Sequence, residues 1–169
     1  MNHTFSRSAA FALVTLVMMT QTLAADTSAD LFTRYGGSWT GSGVARLAGG
    51  NVESLKCKAY YTPRNNGQTL GLVIRCASPS TPLELRAALS TAQEKISGSW
   101  EERTFNATGD VRGSVGENVM DLSISGSGFT GAMQVMFVGD TQRVAITTAG
   151  IGLEAVTLSL SRMANGAGT

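Results

Sequence analysis

The sequence has very few of the residues that most often carry out catalysis or bind metals. It contains one histidine, His3, and two cysteines, Cys57 and Cys76. His3 lies in a segment that we expect to be removed, and the two cysteines are expected to pair. Zinc sites, haem sites and Cys/His or Ser/His catalytic arrangements then lack their side chains. The composition therefore predicts a protein that is not an enzyme and needs no metal or cofactor.

The sequence also has no excess of charge of one sign. Its 13 lysines and arginines include Arg7 in the segment expected to be removed, so 12 remain against 12 aspartates and glutamates. Nucleic-acid binding usually depends on clustered basic side chains that neutralise phosphates. We therefore expect no nucleic-acid partner.

The first 25 residues have the pattern of a signal peptide. Arg7 precedes an apolar run, Ala9–Met19, that is too short to span a bilayer, and small residues allow cleavage after Ala24 or Ala25. An uncleaved anchor helix is the alternative. The pattern predicts a periplasmic or secreted protein that does not span the membrane.

The two cysteines lie on either side of a strong hairpin signal, Asn66-Gly67. If these two residues form the turn, residues whose numbers add to 133 face each other, and Cys57 lies opposite Cys76. Directly opposed residues have Cα atoms about 4.5 to 5.5 Å apart, which a disulfide accepts. The spacing predicts a disulfide-linked hairpin, and this bond persists in oxidising compartments.

The chain after residue 35 consists of short segments with period-2 alternation, separated by turn residues about every 8 to 12 positions. This pattern predicts an all-β antiparallel meander of about 8 to 10 strands. Closure into a barrel is favoured because it removes the exposed sheet edges. We expect one barrel domain over 26–163, a short helix over Ser28–Tyr35, and a disordered tail over 164–169.

Glycines recur at positions that the alternation turns inward. Two interpretations are open: they permit sharp bends of coiled strands, or they leave room inside the barrel for a ligand. The first is favoured because any barrel needs bends. The residues are Gly41, Gly43, Gly98, Gly113 and Gly131.

The start of the first strand carries a short motif, Gly37-Ser38-Trp39, directly after the expected helix. This arrangement resembles the calycin superfamily of lipocalins and avidins, although the second lipocalin motif, Thr-Asp-Tyr, is absent. The resemblance implies that Trp39 plugs one end of the barrel. It also implies that a late basic residue, here Arg162, stacks across that tryptophan by a cation–π contact.

Longer stretches are similar to a group of small exported bacterial proteins of unassigned function. The similarity covers nearly all of residues 36–162 and implies a shared fold, with no established activity to transfer. Its motifs are Gly37–Gly43, Arg75–Ser78, Ile96–Glu102, Gly128-Phe129 and Leu158–Arg162.

The candidate site residues are large or basic side chains at inward positions. They plug the barrel, contact a ligand, or do both. For Trp39 and Trp100, anchoring the core is favoured over stacking on a ligand. They are Trp39, Trp100, Arg162, Phe129, Met133 and Phe137.

Two adjacent carboxylates, Glu101 and Glu102, must point to opposite faces of a strand. One of them could be lumenal, with a raised pKa suited to acid–base chemistry. The alternative, which we favour, places both at a strand end beside a solvated turn.

We expect the protein to bind a small apolar or amphipathic molecule, or to serve the cell envelope by contact with an envelope protein. The alternative is a periplasmic inhibitor of a protease or lysozyme, acting through residues 26–35 or the loop 126–129. Outward-facing Lys56, Lys58 and Arg75 form a basic patch. A solvated sheet face is the default interpretation, and docking of an acidic partner is the other.

Overall fold

A computed structural model of the protein describes residues 31–80 and 82–164. The expected signal peptide over 1–25, the first residues of the expected helix, and the tail from 165 onward lie outside the described residues. Among the residues that the structure describes, no helix has the length and hydrophobicity needed to cross a lipid bilayer.

Ten antiparallel strands, each hydrogen-bonded to the next along the chain, form one closed barrel. The last strand pairs with the first, so no strand edge is left free within it. The predicted all-β meander closed into a barrel is therefore confirmed. The strands are β1 (Gly37–Leu47), β2 (Val52–Arg64), β3 (Thr69–Ala77), β4 (Pro82–Ala92), β5 (Lys95–Glu102), β6 (Ala107–Val115), β7 (Val119–Gly126), β8 (Phe129–Val138), β9 (Thr141–Ala149) and β10 (Leu153–Arg162).

The β2–β3 hairpin has the predicted register, and Cys57 faces Cys76 across it. The two sulfurs are bonded, with an Sγ–Sγ distance of 2.07 Å. The Gln68 N–H donates to the Asn65 carbonyl at 3.1 Å, which places Asn66 and Gly67 at the two central positions of the turn, both with positive φ angles, as expected. The Phe32 N–H donates to the Gly67 carbonyl at 3.3 Å, so the residues before β1 are hydrogen-bonded to this turn.

The chain enters the barrel through a short 3₁₀ helix, Thr33–Tyr35. The expected helix began at Ser28, and its first three residues lie outside the described range. Leu31, Phe32 and Tyr35 are buried against the end of the barrel where β1 begins. We call this the closed end, and the opposite end, where β1 finishes, the open end.

Several inward glycines lie where neighbouring strands approach each other closely. A Cβ at Gly41 would overlap the carbonyl oxygen of Ser159, and a Cβ at Gly98 would overlap that of Ala88. The same crowding against neighbouring backbone occurs at Gly43, Gly113 and Gly131. The space beside these glycines is occupied by main chain, which favours the interpretation of sharply coiled strands.

Candidate functional site

The closed end is packed with aromatic side chains. Trp39 is fully buried, and its ring meets Tyr61 edge-on at 6.3 Å and Phe137 at 5.8 Å between centroids. Tyr35 from the 3₁₀ helix stacks on Phe137 at 4.2 Å. Two of the six candidate site residues, Trp39 and Phe137, therefore plug this end.

Arg162, at the end of β10, covers Trp39 from outside. Its guanidinium carbon lies 4.2 Å from the centre of the Trp39 ring. The same guanidinium donates hydrogen bonds to the carbonyls of Gly36 and Arg34 and to the Asp140 carboxylate. These contacts tie the first strand, the last strand and the entering chain together at the closed end.

A buried polar pair lies among these aromatic rings. The Tyr61 hydroxyl donates to Gln142 Oε1 at 2.9 Å, and both side chains are buried. Burial raises the pKa of the Tyr61 hydroxyl, so it stays neutral and remains a donor. Gln142 was not among the predicted candidates, although it occupies an inward position of the β9 alternation with Val144 and Ile146.

The open end is different, because several of its apolar side chains are only partly buried. Eight of them pack against the core without being fully buried; seven come from the half of their strand nearer this end, and Ala87 is the central residue of β4. We call these eight residues the mouth. They are Leu85, Ala87, Ala107, Ile124, Phe129, Ile146, Leu153 and Val156.

One wall of the mouth is an aromatic pair resting on two glycines. Trp100, Gly109, Gly126 and Phe129 are successive cross-strand neighbours on β5 to β8. A side chain at either glycine would overlap these rings, which lie 5.4 Å apart between centroids. The Trp100 Nε1–H donates to the Ser125 carbonyl at 3.1 Å. Trp100 is thus fixed beneath the mouth, and Phe129 forms part of its surface.

The rim around the mouth also carries exposed apolar side chains. Phe105 in the β5–β6 turn is 69% exposed, Val52 at the start of β2 is 53% exposed, and Ile151 in the β9–β10 turn is 42% exposed. The other exposed large apolar side chains of the described residues, Val44, Met136 and Val138, lie on the outer face of the strands.

Glu102 is the lumenal member of the carboxylate pair, and Glu101 faces outward near Arg86 at 3.9 Å. Burial alone would raise the pKa of Glu102. However, hydrogen bonds from the backbone N–H groups of Phe105, Thr104 and Glu84 outweigh burial and lower it. The interpretation of a carboxyl with a raised pKa is wrong for Glu102, because its oxygens accept hydrogen bonds from backbone N–H groups, including those of Thr104 and Phe105 in the β5–β6 turn.

The segments considered for an inhibitor are both packed against the barrel. Within residues 26–35, the described part includes fully buried Phe32 and Tyr35. In the loop 126–129, the Phe129 ring packs against Trp100. An inhibitor needs a segment that is free to enter a hydrolase, and these contacts give that alternative no support.

The six candidate residues do not form a single site. Trp39, Phe137 and Arg162 lie at the closed end, and Trp100 and Phe129 lie at the open end. Met133 is buried between them, paired with Leu122 and Ile146. Most of the mouth was missed, although its residues occupy inward positions of the alternation near strand ends.

Comparison with solved structures shows the fold. The S-type phycobiliprotein lyase CPES from Guillardia theta is similar with a TM-score of 0.56 and 13% identity, over 79% of this chain and 91% of that chain. Rv2717c from M. tuberculosis is similar with a TM-score of 0.60 and 12% identity, over 76% and 92%. No protein-family model and no curated protein matches the sequence significantly. The architecture is that of calycin-like barrels.

The first comparison contradicts the prediction that the chain is not an enzyme. A solved barrel of similar architecture is a lyase, so the small set of reactive side chains in this sequence was insufficient ground for excluding an activity. That prediction is therefore wrong.

Proposed function

We propose that the protein is an exported β-barrel that binds a small amphipathic molecule through the mouth at its open end. The observation that carries the proposal is the asymmetry of the barrel. The inward side chains of one half are packed shut by Tyr35, Trp39 and Phe137, whereas the eight apolar side chains of the mouth stay partly exposed.

Physical chemistry supports an apolar ligand at this position. Removing apolar surface from water stabilises a complex by roughly 25 cal/mol per Å². Small-molecule sites are typically concave and mostly apolar, with a few polar groups that set orientation. The mouth is mostly apolar, and Ile124, Phe129 and Ile146 contribute to it from β7, β8 and β9.

Export is supported by the Cys57–Cys76 disulfide, which is compatible with an oxidising compartment. The sequence pattern of residues 1–25 supports it further. A solved barrel of the same fold is a phycobiliprotein lyase, which supports a functional role for a barrel of this kind.

Calorimetric titration of the mature protein with dodecanoate tests the proposal. Val156→Lys places a charge in the mouth, and Val138→Lys is the matched control because Val138 is exposed on the outer face near the closed end. We expect saturable binding by the parent and by Val138→Lys, and at least tenfold weaker binding by Val156→Lys. Equal binding by all three proteins would place the ligand elsewhere, and no binding by the parent of dodecanoate or dodecanol would contradict the proposal.

A further inference from the structure

A cleft of about 450 Å³ opens at the rim beside the disulfide. Its apolar side is formed by Leu83 and Cys76, which face each other across β3 and β4 with inward side chains. Leu85 of the mouth is the next inward residue on β4 after Leu83. The cleft therefore lies next to the mouth along β4.

On the polar side of the cleft, one carboxylate, that of Glu84, is shared by several guanidinium groups. Glu84 lies 2.9 Å from Arg75 Nε, 2.6 Å from an Arg86 terminal nitrogen and 3.9 Å from Arg103. The side chains of Arg75 and Arg103 are 56% and 59% exposed, whereas that of Glu84 is only 26% exposed. The carboxylate thus lies beneath the guanidiniums, which present their remaining N–H donors to solvent.

The neighbouring charges reinforce this arrangement. Lys58 lies opposite Arg75 on β2 and adds another cation to the same row. Glu101 lies opposite Arg86, one row further from the rim. Glu102 is turned inward, where three backbone N–H groups hold its oxygens. The exposed surface of the cleft is therefore basic.

We infer that the ligand carries an acidic group, a carboxylate or a phosphate, that Arg75 and Arg103 bind at the rim while its apolar body enters the mouth. This inference rests on the proposed function. Guanidinium groups suit both anions because their planar donors form paired, charge-assisted hydrogen bonds. Arg75 and Arg103 line the same cleft as Leu83, and Leu85 of the mouth follows Leu83 on the inner face of β4, so an acid bound in the cleft leaves the apolar chain on the side of the mouth.

Three probes with the same alkyl chain test the inference: dodecanoate, dodecyl phosphate and the uncharged dodecanol. The variant is Arg75→Gln combined with Arg103→Gln. The matched control is Arg143→Gln, an exposed arginine on β9. Exposed ion pairs contribute little to stability, so the double variant should fold as the parent does, which circular dichroism checks.

We expect the parent and Arg143→Gln to bind at least one acidic probe about tenfold more tightly than dodecanol. The double variant should bind all three probes with the affinity of dodecanol, and raising the salt concentration should remove the preference in the parent. The preferred acidic probe identifies the group.

Equal binding of acids and alcohol by the parent, or an unchanged acid preference in the double variant, would overturn the inference and leave the proposed function standing. Failure of the parent to bind any of the three would overturn both.

Discussion

Arg162 and Trp39 are cross-strand partners at the point where the barrel closes, and the guanidinium lies over the indole ring at 4.2 Å. The contact joins the last strand to the first. It also covers the Trp39 ring, which is fully buried at the closed end. The pair therefore holds shut the end of the barrel opposite the mouth.

Replacing Arg162 with methionine should lower the free energy of unfolding by about 1 to 2 kcal/mol. Methionine keeps apolar contact with Trp39 but loses the cation–π attraction and the hydrogen bonds to Gly36 and Arg34. Urea unfolding measures the change. Arg112→Met, at an exposed position on β6, is the control and should leave stability nearly unchanged. Equal stability of the two variants would mean that Arg162 does not hold the closed end.

Replacing Gly98 with alanine should cost about 2 to 3 kcal/mol, because the new Cβ would overlap the Ala88 carbonyl oxygen. Gly152→Ala is the matched control, since nothing lies within 4 Å of the Cβ position there, and it should stay within about 0.5 kcal/mol of the parent. Thermal unfolding of both variants checks this. If Gly98→Ala were tolerated as well as Gly152→Ala, the close approach of β4 and β5 would be refuted.

Removing the disulfide by Cys57→Ala with Cys76→Ala should lower stability by about 3 kcal/mol, because the bond closes a loop with a sequence separation of 19. Alanine is chosen because both positions are buried and a serine hydroxyl would add a cost of its own. The parent treated with a reductant is the control and should unfold at the same denaturant concentration as the double variant. If the double variant and the reduced parent both unfolded at the same denaturant concentration as the untreated parent, the disulfide would not stabilise the fold.

Glu102→Gln should destabilise the barrel by about 1 to 2 kcal/mol at neutral pH, through weaker hydrogen bonds from Thr104 and Phe105. Because the folded pKa of Glu102 is lowered, its stabilising effect is present above the pKa of the unfolded chain and is lost as the pH falls through the folded value. The difference between parent and variant should therefore shrink in acid, below about pH 4. Glu101→Gln, on the exposed face, should show a much smaller difference at every pH. If the difference in unfolding free energy between the parent and Glu102→Gln did not depend on pH, the assigned role of Glu102 would be contradicted.

The sequence alone was sufficient to predict the strand count range, the closed meander and the β2–β3 register. Period-2 alternation and the position of Asn66-Gly67 between the cysteines are local signals. It was not sufficient to predict the mouth, because the depth of an inward residue depends on how the tilted strands are staggered around the barrel. Ile124 and Met120 look alike in the β7 pattern, yet Met120 is buried and Ile124 lies at the open end.

Two further features depend on partners that only the fold brings together. The pKa of Glu102 is lowered by hydrogen bonds from backbone N–H groups, and the residue types in the sequence do not show where those groups lie. The bond between Tyr61 and Gln142 joins β2 to β9, across the lumen. Alternation predicts that both side chains point inward but cannot predict that they meet.

The two tryptophans of the chain lie at opposite ends of the barrel, so quenching of each by a terminally brominated dodecanoic acid tests the ligand site directly. Trp39→Phe leaves only Trp100, beneath the mouth, and Trp100→Phe leaves only Trp39, in the closed end. The account predicts strong, saturable quenching of Trp100 and little quenching of Trp39. Quenching of Trp39 as strong as that of Trp100, or no quenching of either at saturation, would contradict binding at the open end.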